Sequence, residues 1–290
     1  FQAEDGIRYL VRSRGLGDVY KRQIIIFAAF LKLYFFQGIQ PIDATAYIEN
    51  AYHLFIQNEA PTGLAGLRAG MVVPLGIIMK LFGPSEIIIT GFYLIISLIN
   101  IVLAFLIGKY LVNEKVGLLA ALLMSIIPIE ILYATTIWPD PLIQMFHGLA
   151  ALCLIKFFQT QIESRRVIYI ISTGIFSGFA FLVKETGIFF VAVALLLLIL
   201  KKIRWQYILY LITGVILIFC LEFIWSKVVW GSFGGRIILQ KSLIDTVPQS
   251  LYEPTEEHGR TYILLYRFLL SYPKLLLFQP LNNMFGFYYI

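Results

Sequence analysis

Long apolar stretches separated by short polar loops dominate the chain. A helix that crosses a lipid bilayer needs about 20 mostly apolar residues, so this pattern predicts a series of membrane spans. We assign about eight, the first of them truncated, to residues 24–36, 86–108, 116–134, 141–158, 167–183, 187–200, 207–225 and 262–290. The apolar run 167–200 is interrupted only by Lys184 and Glu185, which we place at the turn of a helical hairpin.

Two longer segments separate these spans. The polar segment 37–70 is followed by PLGIIMKLFG at 74–83, which is too short to cross a bilayer. Its composition suits an amphipathic helix lying on the outer membrane surface. The second segment, 226–261, contains SFGGR and the acidic stretch YEPTEEHGR.

Composition supports the same architecture. Hydrophobic residues make up 59% of the 290 residues, charged residues only 14%, and the mean hydropathy is +0.83. Soluble domains average about 45–50% apolar and about 25% charged residues, so a soluble enzyme and a disordered chain are both excluded. The predicted fold class is an all-α, polytopic bundle of transmembrane helices. Cys153 and Cys220 lie in apolar runs and form neither a disulfide framework nor a metal motif.

The basic residues indicate an orientation. Alternate short loops collect eight of them, against Lys184 alone in the short loops of the other side: Lys109, Lys115, Lys156, Arg165, Arg166, Lys201, Lys202 and Arg204. Loops rich in Lys and Arg stay on the cytoplasmic side of a membrane. Segments 37–85, 135–140, 184–186 and 226–261 are therefore predicted to face outward. The net charge of +6 reflects this topology and does not indicate nucleic-acid binding.

Both ends of the chain look cut. Residues 1–23 closely resemble a translated sequencing-adapter artefact, without an initiating Met or a signal-peptide layout. We therefore expect 1–23 to be non-native. The chain also stops inside an apolar run, LNNMFGFYYI. We expect 24–290 to be the N-terminal part of a transmembrane domain that is truncated at both ends.

Ionisable residues near the predicted spans gather at their outer ends. They are Asp43, Glu130, Asp140, Lys184, Glu185 and Glu222. Charges near the hydrocarbon are costly and usually face a protein interior or a watery cavity. None lies at the middle of a predicted span, where an ion-coupled transporter would need one. The distribution favours a site at the outer face over a conduction path.

Four stretches, in order along the chain, resemble membrane glycosyltransferases of the GT-C fold, in particular family 39, which includes protein O-mannosyltransferases and lipid A aminoarabinose transferases. PIDATAYIENAYHL at 41–54 is similar to the family's first outer loop, in which a Tyr follows an acidic residue by four positions. MVVPLGIIMKLFGPSE at 71–86 resembles its interfacial helix. TTIWPDPLIQMF at 135–146 resembles the second outer loop, and GFAFLVKETGIFF at 178–190 a Gly-rich span ending in Lys.

The resemblance implies transfer of a sugar from a polyprenyl-phosphate carrier to a protein, lipid or glycan acceptor on the outer face of the cytoplasmic membrane. The short loops and the N-terminal segment indicate that this membrane is bacterial. Such a reaction needs a base for the acceptor and positive charge for the departing phosphate. We expect Asp43 to be the base and Asp140 a second catalytic carboxylate. Substrate-binding roles fall to Tyr47, Arg68, Lys184 and Glu185, with Lys184 the principal phosphate contact.

Each of these residues also has a structural interpretation. Asp43 and Asp140 are suited to capping helices, Lys184 to anchoring a span at the lipid headgroups, and Glu185 to pairing with Lys184. Many family members carry two adjacent acidic residues in the first loop, but here Ala44 follows Asp43. No metal ligands are assigned. A divalent metal ion remains compatible with the carboxylates but is not required by them.

Two other functions stay open. A transporter or lipid flippase would need charges or broken helices at the middle of the membrane, or an internal repeat, and neither is clear. An O-antigen ligase or polymerase would use Arg and His in a late outer loop. Segment 226–261 contains Arg236, His258 and Arg260, in keeping with that alternative.

Overall fold

A computed structural model describes residues 19–36, 38–39 and 43–233, except for the side chains of Asp43 and Leu64. Regular structure in these residues is entirely helical, which confirms the all-α class. Helix α1 covers residues 19–34. The others are α2 (Asp43–Tyr52), α3 (Gly63–Gly66), α4 (Ala69–Phe82), α5 (Glu86–Leu111), α6 (Glu114–Ile126), α7 (Pro128–Tyr133), α8 (Pro139–Gln159), α9 (Glu163–Val183), α10 (Phe189–Leu200) and α11 (Trp205–Trp230). A π-helical turn, His53–Gln57, follows α2, and a 3₁₀ turn, Glu185–Ile188, precedes α10.

Among the described residues, four helices are long and apolar enough to cross a membrane: α5, α8, α9 and α11. The protein is therefore an integral membrane protein with several apolar helices. Helices α4 and α10 are apolar but shorter. The predicted span 262–290 lies outside the described residues, so the total of about eight spans stays a prediction. Helix α1 begins at or before residue 19, inside the segment expected to be non-native, and that expectation also stays a prediction.

The predicted span 116–134 is not one continuous helix. Helix α6 ends at Ile126, Ile127 is extended, and Pro128 begins α7. Proline lacks the N–H that would continue the α6 ladder and disfavours a helical conformation in the residue before it, but it fits the first turn of a new helix. The interruption leaves Glu130 on a short, separate helix.

Local signals explain the other helix boundaries near the site. Ser85 caps α5 by accepting a hydrogen bond from the backbone N–H of Ile88, and Pro139 occupies the first turn of α8. Gly83, with φ +93°, ends α4 in a conformation that favours glycine. The hairpin predicted within 167–200 is confirmed, because α9 ends at Val183 and Lys184 is extended before the 3₁₀ turn.

Helices α9 and α11 approach closely through two glycines. A Cβ atom placed on Gly174 would lie 3.0 Å from the Cα of Gly214 and would collide with the carbonyl oxygen of Leu211. Small residues let membrane helices pack backbone against backbone. Gly174 and Gly214 thus allow α9 and α11 to pack closely.

Segment 43–82 covers one end of the bundle. Helix α4 packs against α2, α5 and α9. The core beneath it includes Tyr47, Met71, Leu75, Tyr93 and Val183, all 3% exposed or less. Trp230, at the end of α11, donates its indole N–H to the carbonyl of Pro61 over 3.1 Å. The first polar segment is therefore a packed cover on the bundle, at the end where α5 and α8 begin.

The opposite end, which we call the basic end, is held by aromatic and charged side chains. The Arg166 guanidinium lies 4.9 Å from the ring centre of Phe157 and 4.7 Å from that of Tyr207. The Tyr207 hydroxyl lies 2.6 Å from each carboxylate oxygen of Glu163. Lys156 lies over the ring of Tyr110. These contacts join α5, α8, α9 and α11.

Tyr207→Phe is expected to lower stability by about 1–2 kcal/mol, because it removes the donor to Glu163 while keeping the buried ring. Thermal unfolding of the detergent-purified protein measures the effect. Tyr210→Phe, one turn further along α11, is the matched control and should leave the transition in place. Equal shifts in both variants would show that the Tyr207–Glu163 bond contributes nothing.

Candidate active site

The predicted site residues come from separate stretches and meet at the covered end of the bundle. Arg68 donates from Nη1 to the Tyr47 hydroxyl, and its Nη2 lies 3.7 Å from Glu185 Oε2. Lys184 Nζ lies 3.9 Å from Asp140 Oδ1. Because residues 184 and 185 are neighbours, the two groups form one cluster. We call these five residues the charged cluster.

The residues of the charged cluster lie within helices or directly beside helix ends. Tyr47 lies in α2 with its ring buried, and Arg68 immediately precedes α4. Asp140 is in the first turn of α8, where the helix dipole favours a negative charge. The side chains of Lys184 and Asp140 remain 33% and 46% exposed, so a substrate can reach them. Glu185 also makes a cross-helix contact that the sequence does not predict, because its carboxylate lies beside Arg68; its pairing with Lys184 stays a prediction.

Asp43 is the first residue of α2, and its side chain lies outside the described part of the structure. Its backbone is one helical turn from Tyr47, about 6 Å along the axis. Asp43 therefore begins the helix that carries the Tyr47–Arg68 contact.

A polar cavity of about 350 Å³ opens beside the cluster between α7, α8 and the 3₁₀ turn. Six of its nine lining residues carry polar side chains: Glu130, Tyr133, Asp140, Gln144, His147 and Thr186. His147 Nε2 lies 2.8 Å from the carbonyl oxygen of Gly187, so His147 joins α8 to the 3₁₀ turn by a hydrogen bond. The volume is at the small end of the range for small-molecule sites.

An apolar cavity of about 430 Å³ is lined from Ala69 and Gly70 onward, directly after Arg68 in the chain. Its lining includes Gly70, Val73, Phe146, Leu182 and Trp225, from α4, α8, α9 and α11. Leu182 lines the apolar cavity and Thr186 the polar one, so the short segment between them, with Lys184 at its middle, separates the two spaces. The arrangement suits a ligand with a polar head, an anionic centre and an apolar tail.

A network of polar side chains behind the polar cavity was not predicted from the sequence. Lys32, in α1 and fully buried, donates to the carbonyl oxygen of Glu130 over 2.9 Å. Gln144 Nε2 donates to Glu130 Oε1 over 2.9 Å, and Asn100 Nδ2 donates to Gln144 Oε1 over 3.1 Å. The sequence contains one signal of this network: Lys32 is a lone charge in the apolar stretch 24–36. A charged residue within an apolar span usually has a function.

Metal ligands are not grouped in the part of the chain that the structure describes, which has no set of three or more His, Cys, Asp or Glu side chains placed to hold an ion. The described carboxylates at the polar cavity, Glu130 and Asp140, instead have Gln144 and Lys184 as partners. These residues alone do not provide the ligand number that Mg²⁺ or Ca²⁺ takes. We therefore derive no step through a metal.

Comparison with known proteins identifies the family. The family model described as dolichyl-phosphate-mannose-protein mannosyltransferase matches residues 74–226, just over half of the chain. The chain belongs to this family of GT-C glycosyltransferases. It is therefore a glycosyltransferase that uses polyprenyl-phosphate-linked sugars, embedded in the membrane by apolar helices. No significant match to a curated protein or to a solved structure accompanies the family match.

The family match includes Asp140, Lys184 and Glu185 but begins after Asp43, Tyr47 and Arg68. The contacts of Arg68 with Tyr47 and Glu185 connect these earlier residues to the matched region. The residues of the ligase alternative, Arg236, His258 and Arg260, lie outside the described residues.

Proposed function

We propose that the protein transfers a hexose, most simply mannose, from a polyprenyl-phosphate carrier to a hydroxyl group of an acceptor protein at the outer face of the cytoplasmic membrane. The observation that carries this proposal is the charged cluster between a polar and an apolar cavity. A lipid-linked sugar has the same order of parts: a polar sugar, an anionic phosphate and an apolar chain.

We assign the phosphate to the two cations of the charged cluster, Arg68 and Lys184. Arg68 directly precedes Ala69 and Gly70, which line the apolar cavity, and Lys184 lies between the two spaces. As the bond between the sugar C1 and the phosphate oxygen breaks, negative charge grows on the phosphate. Preorganised cations beside that oxygen stabilise the transition state more than the ground state. The polyprenyl phosphate leaves as an anion and needs no general acid.

The remaining roles follow from position. Asp43, at the start of α2, takes the proton from the acceptor hydroxyl as that oxygen attacks C1. Tyr47 holds Arg68 in place through its hydroxyl. Asp140 lines the polar cavity beside Lys184, which suits a carboxylate that binds the sugar next to the reacting bond.

The proposed outward orientation of the site rests on the positions of the basic residues. The basic residues of the short loops lie at the basic end, opposite the charged cluster along α8 and α9. The positive-inside rule places the basic end in the cytoplasm and the site outside. We infer a bacterial cytoplasmic membrane from the short loops.

Lys184→Ala is expected to lower kcat/KM for sugar transfer about 10- to 100-fold, as for the loss of one charge-assisted hydrogen bond. The measurement follows radiolabelled sugar from polyprenyl-phosphate mannose to acceptor protein, using the protein reconstituted in proteoliposomes. Lys202→Ala, at the basic end, is the matched control and should transfer normally. Label that stays on the lipid and changes leaflet, indifferent to Lys184, would instead identify a flippase.

A further inference from the structure

Glu130 has an environment that packing alone does not explain. It lines the polar cavity, and side chains from three other helices converge on it or on its partner: Lys32 from α1, Asn100 from α5 and Gln144 from α8. Lys32 and Asn100 are 0% and 2% exposed. Burying these groups is costly unless they are fully paired, and an apolar core of the same shape would avoid that cost.

The hydrogen bonds of this network run in one order, from the donor Asn100 through Gln144 to Glu130 at the polar cavity. Asn100 Nδ2 donates both to the carbonyl of Pro141 over 2.9 Å and to Gln144 Oε1. The Gln144 carbonyl is thereby occupied, which turns its NH₂ group toward Glu130 Oε1. That contact makes Glu130 Oε1 a hydrogen-bond acceptor. The carboxylate is fixed in one position before any ligand arrives.

The second carboxylate oxygen of Glu130, Oε2, can accept hydrogen bonds from a ligand. Among the described residues, the hydrogen bonds of the Glu130 side chain engage Oε1 and leave Oε2 for a ligand. Asp140 and the aromatic ring of Tyr133 line the same cavity. Carboxylates that accept hydroxyl protons, together with an aromatic face for the C–H side of a ring, suit a neutral monosaccharide. A cationic ligand is less well suited, because Lys32 and Lys184 already lie beside these two acids.

We infer that Glu130 is a specificity-determining residue that accepts hydrogen bonds from hydroxyl groups of the transferred sugar, with the Lys32, Asn100 and Gln144 side chains as its positioning residues. This inference rests on the proposed function, because it requires the sugar to occupy the polar cavity. Glu130 acts in binding and takes no part in bond breaking.

The test pairs Glu130→Gln with sugar donors that each lack one hydroxyl. Polyprenyl-phosphate mannose and its monodeoxy analogues are compared in wild-type and variant full-length protein by kcat/KM. A site built to bind a hydroxyl strongly rejects the analogue that lacks it. We expect one deoxy donor to lose about 10- to 100-fold with wild type, the variant to lose a similar factor with mannose, and the two losses not to multiply.

Multiplicative losses for every deoxy donor, or unchanged transfer by Glu130→Gln, would overturn the inference while leaving the proposed function intact. A wild-type protein that transfers sugar from none of the donors would contradict the proposed function itself.

Thermal unfolding of each variant shows whether a loss of transfer comes from weaker sugar binding or from a failure to fold. If Glu130→Gln does not fold, Glu130→Asp replaces it in the same comparison, because it keeps the charge beside Lys32 and withdraws it from the cavity. Glu49→Gln, an exposed carboxylate in α2, is the unaffected control.

Discussion

Replacing Asp43 with asparagine is expected to reduce turnover about a hundredfold or more, the order found when a general base is lost. Asparagine keeps the size and helix-capping capacity of aspartate, so α2 and the Tyr47–Arg68 contact should survive. The donor binds through other groups, so the loss should appear in kcat with little change in KM. The measurement is single-turnover transfer from radiolabelled polyprenyl-phosphate mannose at saturating donor.

Glu49→Gln is the matched control, since it removes an exposed carboxylate from the same helix six residues further on. It should transfer sugar at the wild-type rate. An Asp43→Asn variant that retains more than half of the wild-type kcat would remove Asp43 as the base and leave it as the cap of α2.

Gly174→Leu is expected to abolish the packed arrangement of α9 and α11. The new side chain would begin against the Leu211 carbonyl and the Gly214 backbone, which cannot move without separating the two helices. The cost should reach or exceed about 3 kcal/mol, the upper end of the usual overpacking penalty. Size-exclusion profile and thermal unfolding in detergent measure the loss.

Gly91→Leu provides the comparison, because a Cβ atom at Gly91, in α5, meets no atom within 4 Å. Both variants place the same residue within an apolar helix, so lipid solubility and helix propensity change alike. A Gly91→Leu protein that unfolds as readily as Gly174→Leu would show that the close approach of α9 and α11 is not the cause.

The helices were predictable where hydropathy alone decides them. The predicted spans 86–108, 141–158 and 207–225 fall within the longer helices α5, α8 and α11. The break at Pro128 was not predicted, although proline is a recognised helix breaker. Hydropathy averages over a window and is insensitive to a single residue that changes backbone geometry without changing polarity.

The site residues, too, were predictable only where a local sequence pattern indicates them. The short loops that carry Asp140 and Lys184 predicted that the two residues lie at one end of the bundle, and the structure brings them within 3.9 Å of each other. The contact of Lys32 with Glu130 joins residues 98 positions apart, and no local pattern encodes that distance. The contact of Glu185 with Arg68 was likewise not predictable, because the fold brings Arg68 close from the distant segment before α4.

Arg166 links the biogenesis of the protein to its final stability. On the proposed orientation it is one of the charges that retain a loop in the cytoplasm during insertion. In the folded protein its guanidinium lies against the rings of Phe157 and Tyr207. Lysine would satisfy the insertion machinery equally well, but it lacks the planar group that stacks on both rings. Membrane topology therefore permits either cation at position 166, whereas the packing of the folded bundle favours arginine.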